Sequence, residues 1–223
     1  MNIPSQAPLN LLHRVSEGTL ATLTREPRGF PYPTALPFAP TERHVPMVLI
    51  SHLAEHTRNL QADARAGFLV SHAADGGVLE GQRLTMLGSF APAAPEDCEE
   101  LARRYLRYHP DAARYLELGD FSFWVMSLER MRCIGGFGAM GWLGGEELDS
   151  LPPLSADDES SLCKYFDAYS GRPENLRLLG IDRYGCDLLL ADIRNRFTFD
   201  YPKLTNEDLK AAVIDCFERQ RNI

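Results

Sequence analysis

Residues Gly18–Phe38 read GTLATLTREPRGFPYPTALPF. Gly18–Thr24 (GTLATLT) alternates small, apolar and hydroxyl side chains, the two-residue period of a strand with one face toward a core. Arg25–Gly29 holds Pro27 and Gly29 and predicts a hairpin turn. Phe30–Phe38 (FPYPTALPF) carries three prolines, which forbid a helix and place the segment at a sheet edge or in an irregular strand. A hairpin this early in the chain, with no crossover helix, points to an antiparallel sheet.

Working outward, Val45–Ile50 predicts a strand, and Ser51 an N-cap for a helix from His52 to Ala64. Ala66–Ser71 and Gln82–Ala91 predict strands around the loop Ala73–Gly81. Pro95–Tyr108 begins with proline and acidic residues, as a helix N-terminus does. A shorter helix is expected over Asp111–Leu118, then strands over Phe121–Ser127 and Met131–Gly135. Six or seven strands with no βαβ rhythm predict a closed antiparallel barrel.

Gly144–Pro153 (GGEELDSLPP) reads as a linker, with domains expected over 1–145 and 154–223. The second reads αβββα: a helix over Ala156–Tyr169, strands near Arg177–Asp182, Asp187–Asp192 and Arg196–Tyr201, and a helix over Asn206–Arg221. In that last helix Leu209, Val213, Cys216 and Phe217 share a face. The fold class expected is α+β, an antiparallel β-barrel with flanking helices followed by a two-layer αβββα domain.

The 223 residues are 44% apolar and 24% charged, enough for a buried core. The net charge is −8, with no basic run, so neither nucleic acid nor an anionic membrane is an expected partner. The five cysteines are odd in number and form no C-x-x-C pair, which predicts reduced thiols and a cytoplasmic location. No basic-then-apolar leader opens the chain, and no apolar run is long enough to span a bilayer.

Seven segments in order carry a resemblance: GTLAT (Gly18–Thr22), FPYPT (Phe30–Thr34), LISHLAEHTRNL (Leu49–Leu60), RLTMLG (Arg83–Gly88), His109-Pro110, Asp120-Phe121, and GGFG (Gly135–Gly138) followed by Trp142. Together they resemble the HugZ-like, haem-utilisation branch of the pyridoxamine 5′-phosphate oxidase superfamily. The C-terminal part is similar to the small domain appended to such barrels, through GIDRYGCDL (Gly180–Leu188), Phe199-Asp200 and the closing helix. The resemblance implies a split barrel, a homodimer, FMN sites between subunits and flavin-dependent oxidoreductase chemistry. Some members bind haem and are described as haem oxygenases, so haem is the alternative cofactor. A non-catalytic dimer that has lost its cofactor is the third reading. One departure bears on haem: the family's histidine motif in the first helix of the small domain corresponds here to ESSLCKYF (Glu159–Phe166), without histidine, and no histidine follows His109.

A strand running through Ser51 into a helix offers a hydroxyl and free backbone N–H groups to a phosphate. The resemblance places the FMN phosphate and ribityl end there, on Ser51, His56, Thr57 and Asn59, with Arg83 from a neighbouring strand. Gln82, Arg83 and Thr85 would lie near the ring edge, where a cation stabilises reduced flavin. Tyr32 and Thr34 would face the ring, and Trp142 would cover a flat ligand or close the barrel end. The bland alternatives are a capped helix with a solvated face and an alternating strand. His52, Glu55 and His56 also spell H-x-x-E-H, with Glu129 as a third ligand, but no metal is expected from so short a match. No residue receives a catalytic role. No P-loop or nucleophile signature is present, and no helix is expected after Gly135, Gly136 and Gly138 to complete a dinucleotide fold.

Overall fold

A computed structural model describes residues 6–74, 77–135, 140–190 and 193–220. The chain divides into two compact units, Met1–Ser150 and Leu151–Ile223. The fold is α+β: a curled antiparallel sheet with flanking helices, then a small separate sheet with its own two helices.

The first unit contains α1 (Gln6–Arg14), β1 (Glu17–Leu23), β2 (Pro31–Pro37), β3 (Ala39–Pro40), β4 (Pro46–Ser51) and α2 (Glu55–Ala62). It continues with β5 (Arg65–Ala74), β6 (Gly77–Pro92), α3 (Cys98–Tyr108), α4 (Ala113–Leu116), β7 (Phe121–Ile134) and β8 (Met140–Gly144). The strand path is β2-β1-β5-β6-β7-β4-β3, with β8 also on β7. Among the described residues this path is open, as the expected split barrel requires; only the closure read from the strand count alone is not formed. The opening hairpin is as expected: β1 and β2 pair from Glu17↔Pro37 to Leu23↔Pro31, and Gly29 takes φ +83° in the turn.

Three boundaries differ from expectation. The two strands expected over Phe121–Ser127 and Met131–Gly135 are one 14-residue strand, because β7 continues through the register shift at Glu129 and resumes pairing at Arg130 with Leu87 and Gly144. Asp75 and Gly76 are outside the described residues, but strand structure on both sides narrows the loop expected over Ala73–Gly81. Helix α1 and strand β8 were not anticipated. In α1, Leu9, Leu11 and Leu12 are buried although Pro8 interrupts the pattern, and the helix packs on β5 and β6. Gly136 and Gly138 lie outside the described residues.

The core of this unit is a run of aromatic contacts. Phe68 meets Phe38 edge-on at 5.2 Å and Phe90 at 6.0 Å. Tyr105 of α3 meets Phe123 at 5.5 Å and donates to the Pro37 carbonyl at 3.3 Å. Each such fully buried side chain contributes about 1.5–3 kcal/mol of hydrophobic free energy.

The second unit contains α5 (Ala156–Asp167), β9 (Leu176–Ile181), β10 (Gly185–Leu190), β11 (Ile193–Thr198) and α6 (Asn206–Gln220), in sheet order β11-β10-β9. Ser155 caps α5 by accepting from Asp158 N at 3.1 Å, and Thr205 accepts from Asp208 N at 3.1 Å at the start of α6. Leu209, Val213 and Phe217 of α6 are buried against Leu162, Phe166, Leu178 and Leu188. Arg196 crosses this unit as a buried cation. It donates to both oxygens of Asp182 (2.7 and 2.8 Å) and to Asp187 at 3.2 Å.

Removing one member of a buried ion network leaves uncompensated charge and costs about 3–5 kcal/mol. Arg196→Ala should therefore lower the stability of the second unit by about that amount in urea denaturation. A variant within 1 kcal/mol of wild type, taken as roughly the scale of a surface change, would show that the network contributes little.

Candidate functional site

The residues singled out from sequence fall into two groups. The first is the corner where β4 turns into α2. Helix α2 begins at Glu55 with Ala54 at the cap and no side-chain cap, so the assignment of Ser51 as N-cap of a helix from His52 is corrected. The physical reason is a better acceptor: Ser51 Oγ donates to Asp120 Oδ2 at 2.6 Å and accepts from Leu53 N at 3.1 Å. Thr57 Oγ1 donates to the Ser51 carbonyl at 2.7 Å, and Asn59 Nδ2 donates to Thr22 Oγ1 at 3.1 Å inside the core. His52 lies before the helix, with Nε2 at 3.0 Å from Ser122 Oγ, so the helical i,i+4 geometry that H-x-x-E-H requires is not formed. Glu55 faces Arg25 at 3.4 Å.

The corner is thus a latch. The hydroxyl protons of Ser51 and Thr57 are given to protein acceptors, and the carboxylates of Asp120 and Glu55 stand where a phosphate would add further negative charge. Three polar atoms on elements that meet here are buried without a hydrogen-bond partner: His56 Nε2, Asn59 Oδ1 and Thr34 Oγ1. Burial holds the His56 imidazole below its ordinary pKa and hence neutral.

Tyr32 pairs with Thr22, and Thr34 with Leu20, so both alternate onto the face that carries the core. Gln82 pairs with His72 and shares the face of buried Leu84.

Arg83 is not with the corner. It pairs with Ser71 and Ile134, whereas Ser51 pairs with Phe121 at the other end of β7. At about 3.3 Å per residue, those ends are roughly 40 Å apart along the strand. Within one chain, the expected grouping of Arg83 with Ser51 and Thr57 is therefore corrected.

Arg83 and Thr85 belong to a second group on the outer face of the sheet. The register aligns Thr19, Leu69, Thr85, Arg132 and Trp142 across five strands, and beside them Ala21, Gly67, Leu87, Arg130 and Gly144. Ala21, Gly67 and Gly144 keep the second row low. Leu69, Leu87 and Trp142 are 38%, 37% and 47% exposed. The Trp142 ring carries the Arg130 guanidinium 3.8 Å from its centroid and that of Arg132 at 5.8 Å. The result is a flat, mostly apolar surface edged by guanidinium groups, suited to a planar aromatic anion. Arg130 and Arg132 were missed in the sequence; the cue available was their i,i+2 spacing on a strand opposite Trp142.

Residues 6–149 match the profile of the family described as CREG, beta-barrel. The chain is 30% identical over 130 residues to the chloroplastic heme oxygenase HOZ of Arabidopsis thaliana, covering 58% of this chain but only 39% of that relative. It thus spans about two fifths of the relative's length. Among solved structures, a heme binding protein from Mycobacterium smegmatis is 26% identical over the whole of both chains, with a TM-score of 0.63. The protein Atu2129 from Agrobacterium tumefaciens, of unknown function, is 22% identical over 95% of this chain and 94% of its own, with a TM-score of 0.79, which shows the shared fold.

A histidine kept neutral by burial binds its proton more readily in the unfolded chain, whose imidazole titrates near 6.5. Its stabilising contribution is therefore full above about pH 6.5 and is lost as the pH falls below it. Urea midpoints between pH 5 and 7.5 should decline on acidification in wild type and decline less in His56→Gln. Parallel curves would show that His56 is not the group responsible.

Proposed function

The chain belongs to the CREG β-barrel family, and from that premise we propose that it binds haem on the outer face of its sheet. The observation that carries this reading is the stack of Arg130 and Arg132 on Trp142 beside Leu69, Leu87 and Thr85. A porphyrin is a flat apolar ring with two carboxylates. Trp142 and the leucines would take the ring, while Arg132 and Arg83 would take the carboxylates as charge-assisted bonds. The full-length likeness to a heme binding protein from Mycobacterium smegmatis supports the same reading.

The iron of a haem would call for a nitrogen donor with access to solvent. His13 and His44 are buried and bonded to each other at 2.8 Å, and His109 lies 2.7 Å from the Phe38 carbonyl. His56 Nε2 is buried, and His52 is engaged with Ser122. His72 is exposed near the end of β5, but it pairs with Gln82 on the side of the sheet that carries buried Val70 and Leu84, opposite Arg83 and Thr85. It is not placed to hold the iron of a ring on the outer face of the same chain; a ring bound there would be held by stacking and through its carboxylates. Haem, when bound, supplies redox-active iron; the residues named here position it and neutralise its carboxylates. A second copy of the chain, in a homodimer, would cover the ring face left open by one sheet.

The likeness to a heme oxygenase extends the reading to haem breakdown, which ascorbate added in air would reveal as loss of the Soret band. The comparisons favour haem over the FMN oxidoreductase expected from the resemblance, and FMN stands as the competing outcome of the binding test.

Hemin titration followed by absorbance should show saturable Soret growth. One charge-assisted bond is worth about 1.5–3 kcal/mol, so Arg132→Ala should weaken binding roughly ten- to a hundredfold. Trp142→Ala should weaken it by up to about tenfold through lost stacking. Saturable FMN binding with no haem binding would overturn the proposal.

A further inference from the structure

In the second unit, Cys186 on β10 is fully buried, and Cys216 on α6 packs against the same core cluster. The two side chains interact, and that interaction raises the Cys186 thiol. All five cysteines are thiols in this structure. The other side of Cys216 lines a cavity of about 250 Å3, bounded also by Phe199, Lys203, Asp208, Ala212 and Asp215. A small polar oxidant in this cavity would meet one sulfur of a pair whose second member is already in contact.

We propose that Cys186 and Cys216 are a redox pair, which hydrogen peroxide converts into a disulfide linking β10 to α6. In the first step the Cys216 sulfur, as thiolate, attacks one peroxide oxygen. The O–O bond breaks, hydroxide leaves and takes up a proton as water, and Cys216 becomes a sulfenic acid. In the second step Cys186 gives up its proton and its sulfur attacks Cys216. The S–O bond breaks and a second water leaves. Two thiols and one peroxide thus yield one disulfide and two waters, the thiols losing the two electrons that the O–O bond gains.

The order of attack follows from access. Cys216 opens on the cavity, whereas Cys186 is enclosed, and its thiol is pushed up by the interaction with Cys216 and by burial. Arg196, close enough to favour a Cys186 thiolate, partly offsets this. The thiolate is the attacking form, so the reaction is expected to need excess peroxide rather than a trace. Cys133, buried in the first unit, has no place in the pair.

The test uses the full chain. After peroxide treatment the remaining thiols are alkylated in denaturant, and the protein is digested without reduction for mass spectrometry. The expected result is joint disappearance of the Cys186 and Cys216 thiols, with a cross-linked peptide containing both that dithiothreitol releases. In Cys216→Ser, Cys186 should remain alkylatable after the same treatment. Cys216 arriving at sulfinic acid while Cys186 stays a thiol would overturn the proposal, as would Cys216 linked to Cys98, Cys163 or a second chain. The wild-type peptide map decides between these even if the variant fails to fold.

Discussion

A side chain at position 88 would collide with the carbonyl oxygen of Ser127, and that close approach sets the geometry of the first unit. Gly88 sits at the register shift where β6 slips by one residue against β7. The shift lets one long strand serve two partners. The N-terminal part of β7 pairs with β4, and its C-terminal part with β8, while β6 follows along most of it. Had β6 and β7 paired without a shift, every side chain beyond it would have changed face. Arg130 and Arg132 stand on the outer face with Trp142 because of that offset.

Two chemically different places result. At one end, Ser51, Asp120, Thr57, Asn59 and Thr22 bond among themselves, and the β4–α2 corner is a structural joint. At the other, cations gather on an exposed apolar face of a chain whose net charge is −8. Local concentration of Arg83, Arg130 and Arg132 against that background is what an anionic planar ligand would require. Stacking on Trp142 also holds the guanidinium planes in place, so less side-chain entropy remains to be lost on binding.

Much of this was legible in the residues. The alternation of Gly18–Thr24 and the proline spacing of Phe30–Phe38 specify a hairpin, and the shared face of Leu209, Val213, Cys216 and Phe217 marks the closing helix of the second unit. What was not legible depends on partners distant in sequence. Ser51 looks like a cap until Asp120, 69 residues away, competes for its hydroxyl. Arg83 looks close to Ser51 until the register assigns them to opposite ends of β7. Helix α1 gains its burial from β5 and β6, against the local signal of Pro8. Strand β8 is five residues long and gains its meaning from Arg130 and Arg132 across the ladder. Local chemistry therefore conveyed the elements, and long-range register decided which side chains share a surface.

The sequence holds two tryptophans, which makes the central claim directly measurable. Trp124 is 4% exposed on β7, with its indole N–H bonded to Ser122, and Trp142 lies on the outer face. Gallium protoporphyrin, a diamagnetic counterpart of haem, shifts nearby protons through its ring current. In a proton–nitrogen NMR titration, the Trp142 indole resonance should move strongly on saturation while that of Trp124 stays near its place. Saturable binding that leaves Trp142 unmoved, or that moves the β4–α2 corner instead, would contradict a ligand on this face.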